Sequence, residues 1–231
     1  MMHICGFQKM TLLDFPGKVA CIVFTAGCNL RCPFCHNASL VTHIRPEERI
    51  DEEEIFRYLE KRRNMLDGVC ITGGEPLLQK DIASFIRRIK GLGLLVKLDT
   101  NGTDPAALRS LIDERLVDYV AVDIKNAPAR YAQTVGIEDF DLAPIRATLA
   151  LLAEGRVPYE LRTTVVREFH DVKDIEQLVD FIDGAPRYFL QTFTDSGDLI
   201  GDAAMSAHPR EVMEQMAEIA QKRIPEVGIR G

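Results

Sequence analysis

The stretch Lys18-Val19-Ala20-Cys21-Ile22-Val23-Phe24-Thr25-Ala26-Gly27-Cys28-Asn29-Leu30-Arg31-Cys32-Pro33-Phe34-Cys35-His36-Asn37 decides how the chain is read. Its first seven residues form a nearly continuous apolar run, as in a strand covered on both faces. The rest is a loop with three cysteines in eight positions. Outward from it, short β-rich runs alternate with longer helical patterns. Val69-Cys70-Ile71-Thr72 reads as a second strand ended by Gly73-Gly74, and residues 94–99, 119–125, 159–166 and 188–193 as four more. Asp51 and Glu54 form a D-x-x-E cap for a helix reaching about residue 67. Ile82, Phe85, Ile86 and Ile89 fall at helical spacing, and Asp104-Pro105 reads as an N-cap followed by an N1 proline. Further helices are expected over 142–154 and 171–183, and a C-terminal one over about 209–223. Six β/α units in strict alternation imply an α/β fold of parallel strands. Closed or partly closed, such a sheet is a TIM-like barrel; open, it is doubly wound. No linker divides the chain, so residues 1–231 are read as a single domain.

The chain has 231 residues, 28 Lys+Arg against 35 Asp+Glu, and a net charge of −7. That acidic balance argues against a nucleic-acid binder, which normally carries a basic face. No run approaches the 18 or so apolar residues of a membrane span, and the first nine residues lack the basic and apolar regions of a signal peptide. A cytoplasmic location is expected. In a cytosolic chain, six cysteines read as metal-binding or catalytic before they read as disulfides.

Chemistry gathers at the C-terminal ends of the strands in this architecture. Here those ends are Thr25 to Asn37, Gly73-Gly74-Glu75-Pro76, Asp99-Thr100-Asn101-Gly102, Asp123-Ile124-Lys125, Arg162-Thr163-Thr164 and Gln191-Thr192. Three thiolates at C-x3-C-x2-C spacing can hold three irons of a cubane 4Fe–4S cluster, leaving the fourth open to a substrate. The alternatives are a zinc knuckle using His36 or a remote cysteine, and an electron-transfer cluster completed by Cys70. Asp123 and Lys125 alternate along a strand and so share a face. They serve a ligand there or pair with each other.

Cys28-x3-Cys32-x2-Cys35, with Phe34 before the last cysteine, resembles the signature of radical S-adenosylmethionine (SAM) enzymes, and Gly73-Gly74-Glu75-Pro76 resembles their second motif. The resemblance covers about residues 17–195 and implies a partial (β/α)6 TIM-like barrel, the radical SAM core. Leu12-Leu13-Asp14-Phe15-Pro16-Gly17-Lys18, the cysteine loop through Asn37, Leu98 to Gly102 and Val122 to Lys125 resemble the glycyl-radical-enzyme activases. Among these the match is to the longer type of anaerobic ribonucleoside-triphosphate reductase activating protein. Activases of pyruvate formate-lyase usually read D-G-P-G where this chain has Asp14-Phe15-Pro16-Gly17.

By that resemblance Cys28, Cys32 and Cys35 ligate a 4Fe–4S cluster and SAM chelates its open iron. Phe34 borders the adenine, and Gly73, Gly74 and Glu75 bind the methionyl ammonium. Asp99 and Thr100 meet ribose hydroxyls or a nearby monovalent cation, with Asn101 in the turn beside them also counted as cofactor-binding. Asp123 and Lys125 face the ligand, Arg162 holds the SAM carboxylate, and Gln191 makes an adenosine contact. The implied reaction is reductive cleavage of SAM to a 5′-deoxyadenosyl radical that takes hydrogen from a glycine of a partner enzyme. The implied electron donor is flavodoxin-like or ferredoxin-like. A pterin-like small-molecule substrate is the enzymatic alternative, and a non-catalytic iron–sulfur or zinc protein the other. Cys5, Cys21 and Cys70 are expected to be packing residues, the other histidines have no assigned role, and the short chain is expected to carry no lid.

Overall fold

The computed structural model describes residues 2–45, 49–195 and 197–231. Eight strands form one sheet in sequential order: β1 (Ile4–Thr11), β2 (Ala20–Thr25), β3 (Gly68–Gly73), β4 (Leu95–Thr100), β5 (Tyr119–Asp123), β6 (Tyr159–Val165), β7 (Arg187–Thr192) and β8 (Glu226–Arg230). β1 runs antiparallel to β2, and every later pair is parallel. Asp99 of β4 and Arg162 of β6 meet across the concave face, and β1 and β8 remain as edges, so the sheet is a partial barrel. The six expected strands are β2 to β7. The two edge strands are additions, since Gly6 and Gly228 interrupt short runs that carry little apolar alternation.

The helices between the strands are α1 (Ala38–Val41), α2 (Glu52–Arg62), α3 (Ile82–Gly91), α4 (Pro105–Asp113), α5 (Tyr131–Val135), α6 (Ala143–Ala153), α7 (Val172–Phe181) and α8 (Arg210–Gln221). None among the described residues is long and apolar enough to cross a membrane. Helix α2 stops at Arg62 rather than near 67, and Asp67 instead turns back to accept the Val19 N–H at 2.8 Å. Asp51 caps α2 by accepting from Glu53 N; the reciprocal capping box lies at α7, between Asp171 and Asp174. Asp104 caps α4 ahead of Pro105, as the sequence predicts.

Strand register separates two faces. Val23, Ile71, Leu98, Val122 and Leu161 pack with Ile55, Phe85, Leu111, Ile145 and Leu178 of the helices in one buried apolar cluster. The alternate residues, including Cys70, Lys97, Asp99, Tyr119, Asp123, Glu160 and Arg162, point into the barrel. At the N-terminal end Phe15 plugs the interior with Ala20 and Tyr119. A Cβ on Gly68 would come within 2.9 Å of that phenyl ring, so the glycine makes room for it. The phenylalanine that distinguishes this chain from a D-G-P-G sequence is thus a buried plug at the end opposite the cysteine loop.

Candidate functional site

The cysteine loop leaves β2 and is held by its neighbours on every side. Glu75 N donates to Gly27 O at 2.7 Å, and a Cβ on Gly74 would overlap that carbonyl at 2.0 Å, so only glycine permits the approach. Arg31 N donates to Val135 O at 2.9 Å at the end of α5, where Gly136 adopts φ +68° against the Arg31 carbonyl. Phe34 is buried, its ring 5.6 Å from Phe169 and edge-on to His170. Asp198 and Gly201, between β7 and α8, bond to this region: Gly201 N donates to Pro33 O at 2.8 Å, and Ser39 N to Asp198 at 3.2 Å. Among the described residues, none of the β7–α8 connection lines the cavity that the cysteine loop borders.

The loop and the ends of β3, β4 and β5 line an open-mouthed cavity of about 130 Å³. Cys28, Cys32 and Cys35 all line it, as do Phe34, Gly73, Gly74, Asp99, Thr100, Asn101, Asp123 and Lys125. Leu30, Asn37, Val41 and Thr72 complete the wall and carry no motif of their own in the sequence. His36 stacks on Phe193 outside the cavity, and Cys70 lies deeper in the barrel. Cys21 and Cys70 are fully buried, Cys21 among the apolar side chains. Among the described residues no three His, Cys, Asp or Glu side chains converge on a single ion. Three thiols lining one cavity supply the donors a cubane cluster takes, in which each sulfur meets a different iron.

Two of the expected contact residues stand behind the wall. Glu75 is 1% exposed and its carboxylate is fully engaged, accepting from Leu77 N at 3.0 Å, Thr100 Oγ1 at 2.7 Å and Asn101 N at 2.7 Å. Burial pushes its pKa up to about 7 against those three donors. It ties the end of β3 to the end of β4. Asn101 then reaches the loop, donating to Asn29 Oδ1 at 2.9 Å and lying 3.8 Å from Cys28 Sγ. Arg162 donates to Asp123 at 2.9 Å and Asp99 at 3.1 Å, which commits the guanidinium to two carboxylates. Gln191 is half-buried on β7 and does not line the cavity.

Beneath the cavity runs a chain of charge. Lys97, 1% exposed, pairs with Asp99; Arg162 joins Asp99 to Asp123; Lys125 Nζ lies 3.3 Å from Asp123. Burial alone would raise the Asp123 carboxyl, but Arg162 and Lys125 overcome it and hold its pKa at about 2. Burial pushes Cys32 up to about 12, with Lys125 acting against that rise, so an apo thiol here holds its proton until metal or cation displaces it. β5 ends at Asp123, two residues earlier than expected, and Lys125 nonetheless reaches back to that carboxylate.

Residues 22–182 match the family model described as the radical SAM superfamily. The chain belongs to the radical SAM superfamily. Enzymes of this superfamily work with a 4Fe–4S cluster and SAM, and the cavity has the donors for both. Over 98% of its length the radical SAM chain is 32% identical to a Methanocaldococcus jannaschii protein named as a glycyl-radical enzyme activating enzyme, covering 95% of that protein. It is 39% identical over half its length to 7-carboxy-7-deazaguanine synthase of Hyperthermus butylicus, covering 48% of it. It is 30% identical over 80% of its length to the pyruvate formate-lyase-activating enzyme of Listeria monocytogenes, covering 77%. The fold matches Streptococcus suis SuiB bound to S-adenosylmethionine with a TM-score of 0.69 at 16% identity, over 89% of this chain and 48% of that one.

Proposed function

We propose that this radical SAM enzyme is a glycyl-radical-enzyme activase, with anaerobic ribonucleoside-triphosphate reductase as partner and a flavodoxin-like or ferredoxin-like protein as electron donor. The observation that carries the chemistry is the shared cavity of Cys28, Cys32 and Cys35 with the Gly73-Gly74 backbone and the Asp99 and Asp123 carboxylates. The similarity to a named activase over nearly the whole of both chains supports the substrate class. Cys28, Cys32 and Cys35 hold the cluster. Bound together, the reduced cluster and SAM supply one-electron cleavage chemistry that ends in removal of a glycine hydrogen.

The other roles belong to this chain's own groups. Gly73 and Gly74 present bare backbone to the methionyl end of SAM, where a side chain would block approach. Asp99, Thr100 and Asn101 orient the nucleoside, and Phe34 bounds it. Lys125 supplies the cation at the cavity wall. Glu75 and Arg162 act from behind, one fixing the ends of β3 and β4 and the other neutralising Asp99 and Asp123.

The test is anaerobic reconstitution with iron and sulfide. Reduced protein is expected to convert SAM to 5′-deoxyadenosine, and Cys32→Ala to lose that activity completely while its far-UV circular dichroism stays unchanged. Full turnover by Cys32→Ala would sink the cluster assignment. Mixed with SAM, reductant and the reductase, the protein should raise a glycyl doublet in electron paramagnetic resonance. The partial match to 7-carboxy-7-deazaguanine synthase favours a second reading, a small-molecule substrate. SAM cleavage without a glycyl doublet on any candidate partner would select it.

A further inference from the structure

His170, in the turn between β6 and α7, has no motif to mark it, yet it is fully buried beside the site. Its Nε2 lies 2.7 Å from the Lys125 carbonyl oxygen. A carbonyl only accepts, so Nε2 donates to it, while Nδ1 accepts from Val166 N at 3.1 Å and lies 3.2 Å from Val166 O. Burial lowers its pKa below the usual 6.5, which favours the neutral ring. On the other side of the same residue, Lys125 N donates to the Tyr131 hydroxyl at 3.3 Å, and Tyr131 is itself buried. The backbone of Lys125 is thus clamped at both its N–H and its C=O.

The same imidazole also touches the cysteine loop. Its ring lies 6.3 Å from that of Phe34, edge-on, and Phe34 sits between Cys32 and Cys35. His208 Nε2, 2.6 Å from His170 O, pins the turn to the segment that precedes α8. One side chain therefore connects the ends of β5 and β6 with the cysteine loop. Lys125 is the cation whose charge bears on Cys32, and it lines the cavity that the three cysteines share.

We infer that His170 is a positioning residue: by bonding the Lys125 carbonyl and packing on Phe34, it fixes the Lys125 ammonium relative to Cys32 and Cys35, and so sets the reduction potential of the cluster held there. This rests on the reading that Cys28, Cys32 and Cys35 hold the cluster. A positive charge held close to a cluster favours the reduced, more negative state, so loosening that charge drives the potential down.

The experiment compares reconstituted wild type, Lys125→Met, His170→Phe, His170→Gln and the Lys125→Met/His170→Phe double variant. Iron content and midpoint potential are measured under argon by spectroelectrochemical titration. Lys125→Met is expected to move the potential to a more negative value, and His170→Phe to move it the same way by less. The glutamine amide can still donate to the carbonyl, so His170→Gln should return most of the shift. The double variant should match Lys125→Met alone. A His170→Phe potential equal to wild type, a His170→Gln shift as large as the phenylalanine one, or full additivity in the double variant would each overturn the inference. Should His170→Phe fail to fold, Tyr131→Phe removes the opposite clamp and is expected to lower the potential; an unchanged value there overturns it equally. Wild type that takes up no iron overturns the cluster reading, and this inference with it. Loaded wild type whose potential is indifferent to both clamp residues overturns the inference alone.

Discussion

On β4, Val96 and Leu98 point outward and are fully buried with the helices, while Lys97 and Asp99 beside them point into the barrel and pair with each other. The same alternation runs through β5 and β6, where Val120, Val122 and Leu161 face out and Asp123, Glu160 and Arg162 face in. The outward face is held by apolar burial, summed over many individually weak contacts. The inward face is held by charges that balance one another, and each is costly to leave alone. Stability and chemistry thus occupy opposite sides of the same backbone, one residue apart.

Asp99→Ala tests that contrast most severely. It leaves Lys97 and Arg162 facing each other without the carboxylate between them. Breaking a buried pair in this way costs about 3–5 kcal/mol, to be read from urea unfolding of the apo protein. Lys97→Met added to Asp99→Ala should recover part of the loss, since it removes one stranded charge. Unfolding free energy unchanged by Asp99→Ala would mean that water already screens the network. Leu98→Ala is the outward counterpart, with an expected loss of about 2–5 kcal/mol from transfer and cavity terms. SAM affinity of the folded fraction, measured by calorimetry on reconstituted protein, should be unchanged for Leu98→Ala and weakened for Asp99→Ala. Equal effects of the two on affinity would dissolve the distinction between the faces.

The helices were legible because Ile82, Phe85, Ile86 and Ile89 recur at the spacing of one helical face, and all four are buried. The strands were legible as apolar runs, but such runs conceal which residues face inward. One signal did exist. Oppositely charged residues two apart on a strand share its face, as the sequence shows for Asp123 and Lys125. Lys97 with Asp99 and Glu160 with Arg162 repeat the pattern on β4 and β6, and Glu160 is answered there by Arg230 of β8 at 2.7 Å and by Tyr119 at 3.0 Å. The motif positions around the cavity were legible from residue type at the strand ends. Where Glu75 and Arg162 point was not, because most of their partners come from other strands and only the folded sheet brings them together. His170 was invisible for the same reason: its role lies in contacts with Lys125 and Phe34, both far away in sequence.

Glu75 offers a subtler way to probe the inward side, through pH. Its folded pKa lies near 7 against an ordinary 4.5, raised by burial. Between those values the folded state binds more protons than the unfolded one. Stability from this group is therefore complete below about 4.5 and is lost as pH rises toward 7, with a slope of at most about tenfold in the folding equilibrium per pH unit. His170, buried neutral, tilts the opposite way below 6.5, so the informative quantity is the difference between wild type and Glu75→Gln. That difference should fall steadily across pH 4.5–7 in apo protein. A flat difference would mean that the three donors around Glu75 outweigh its burial.

The smallest expected effect belongs to a pair with the same chemistry as Lys97 and Asp99 but a different environment. Arg87 and Glu114 join α3 to the end of α4 at 2.5 Å, with side chains 51% and 41% exposed. Water solvates both partners when the pair is broken, so neither is stranded. A double-mutant cycle with Arg87→Ala and Glu114→Ala should give a coupling of about 0.2–1 kcal/mol, fading as salt rises toward 1 M, where the screening length falls to about 3 Å. The Lys97–Asp99 coupling should persist at that salt, because ions do not enter the barrel interior. If both couplings fell together, burial would not be what separates the two pairs, and the inward face would have to be treated as solvated ground.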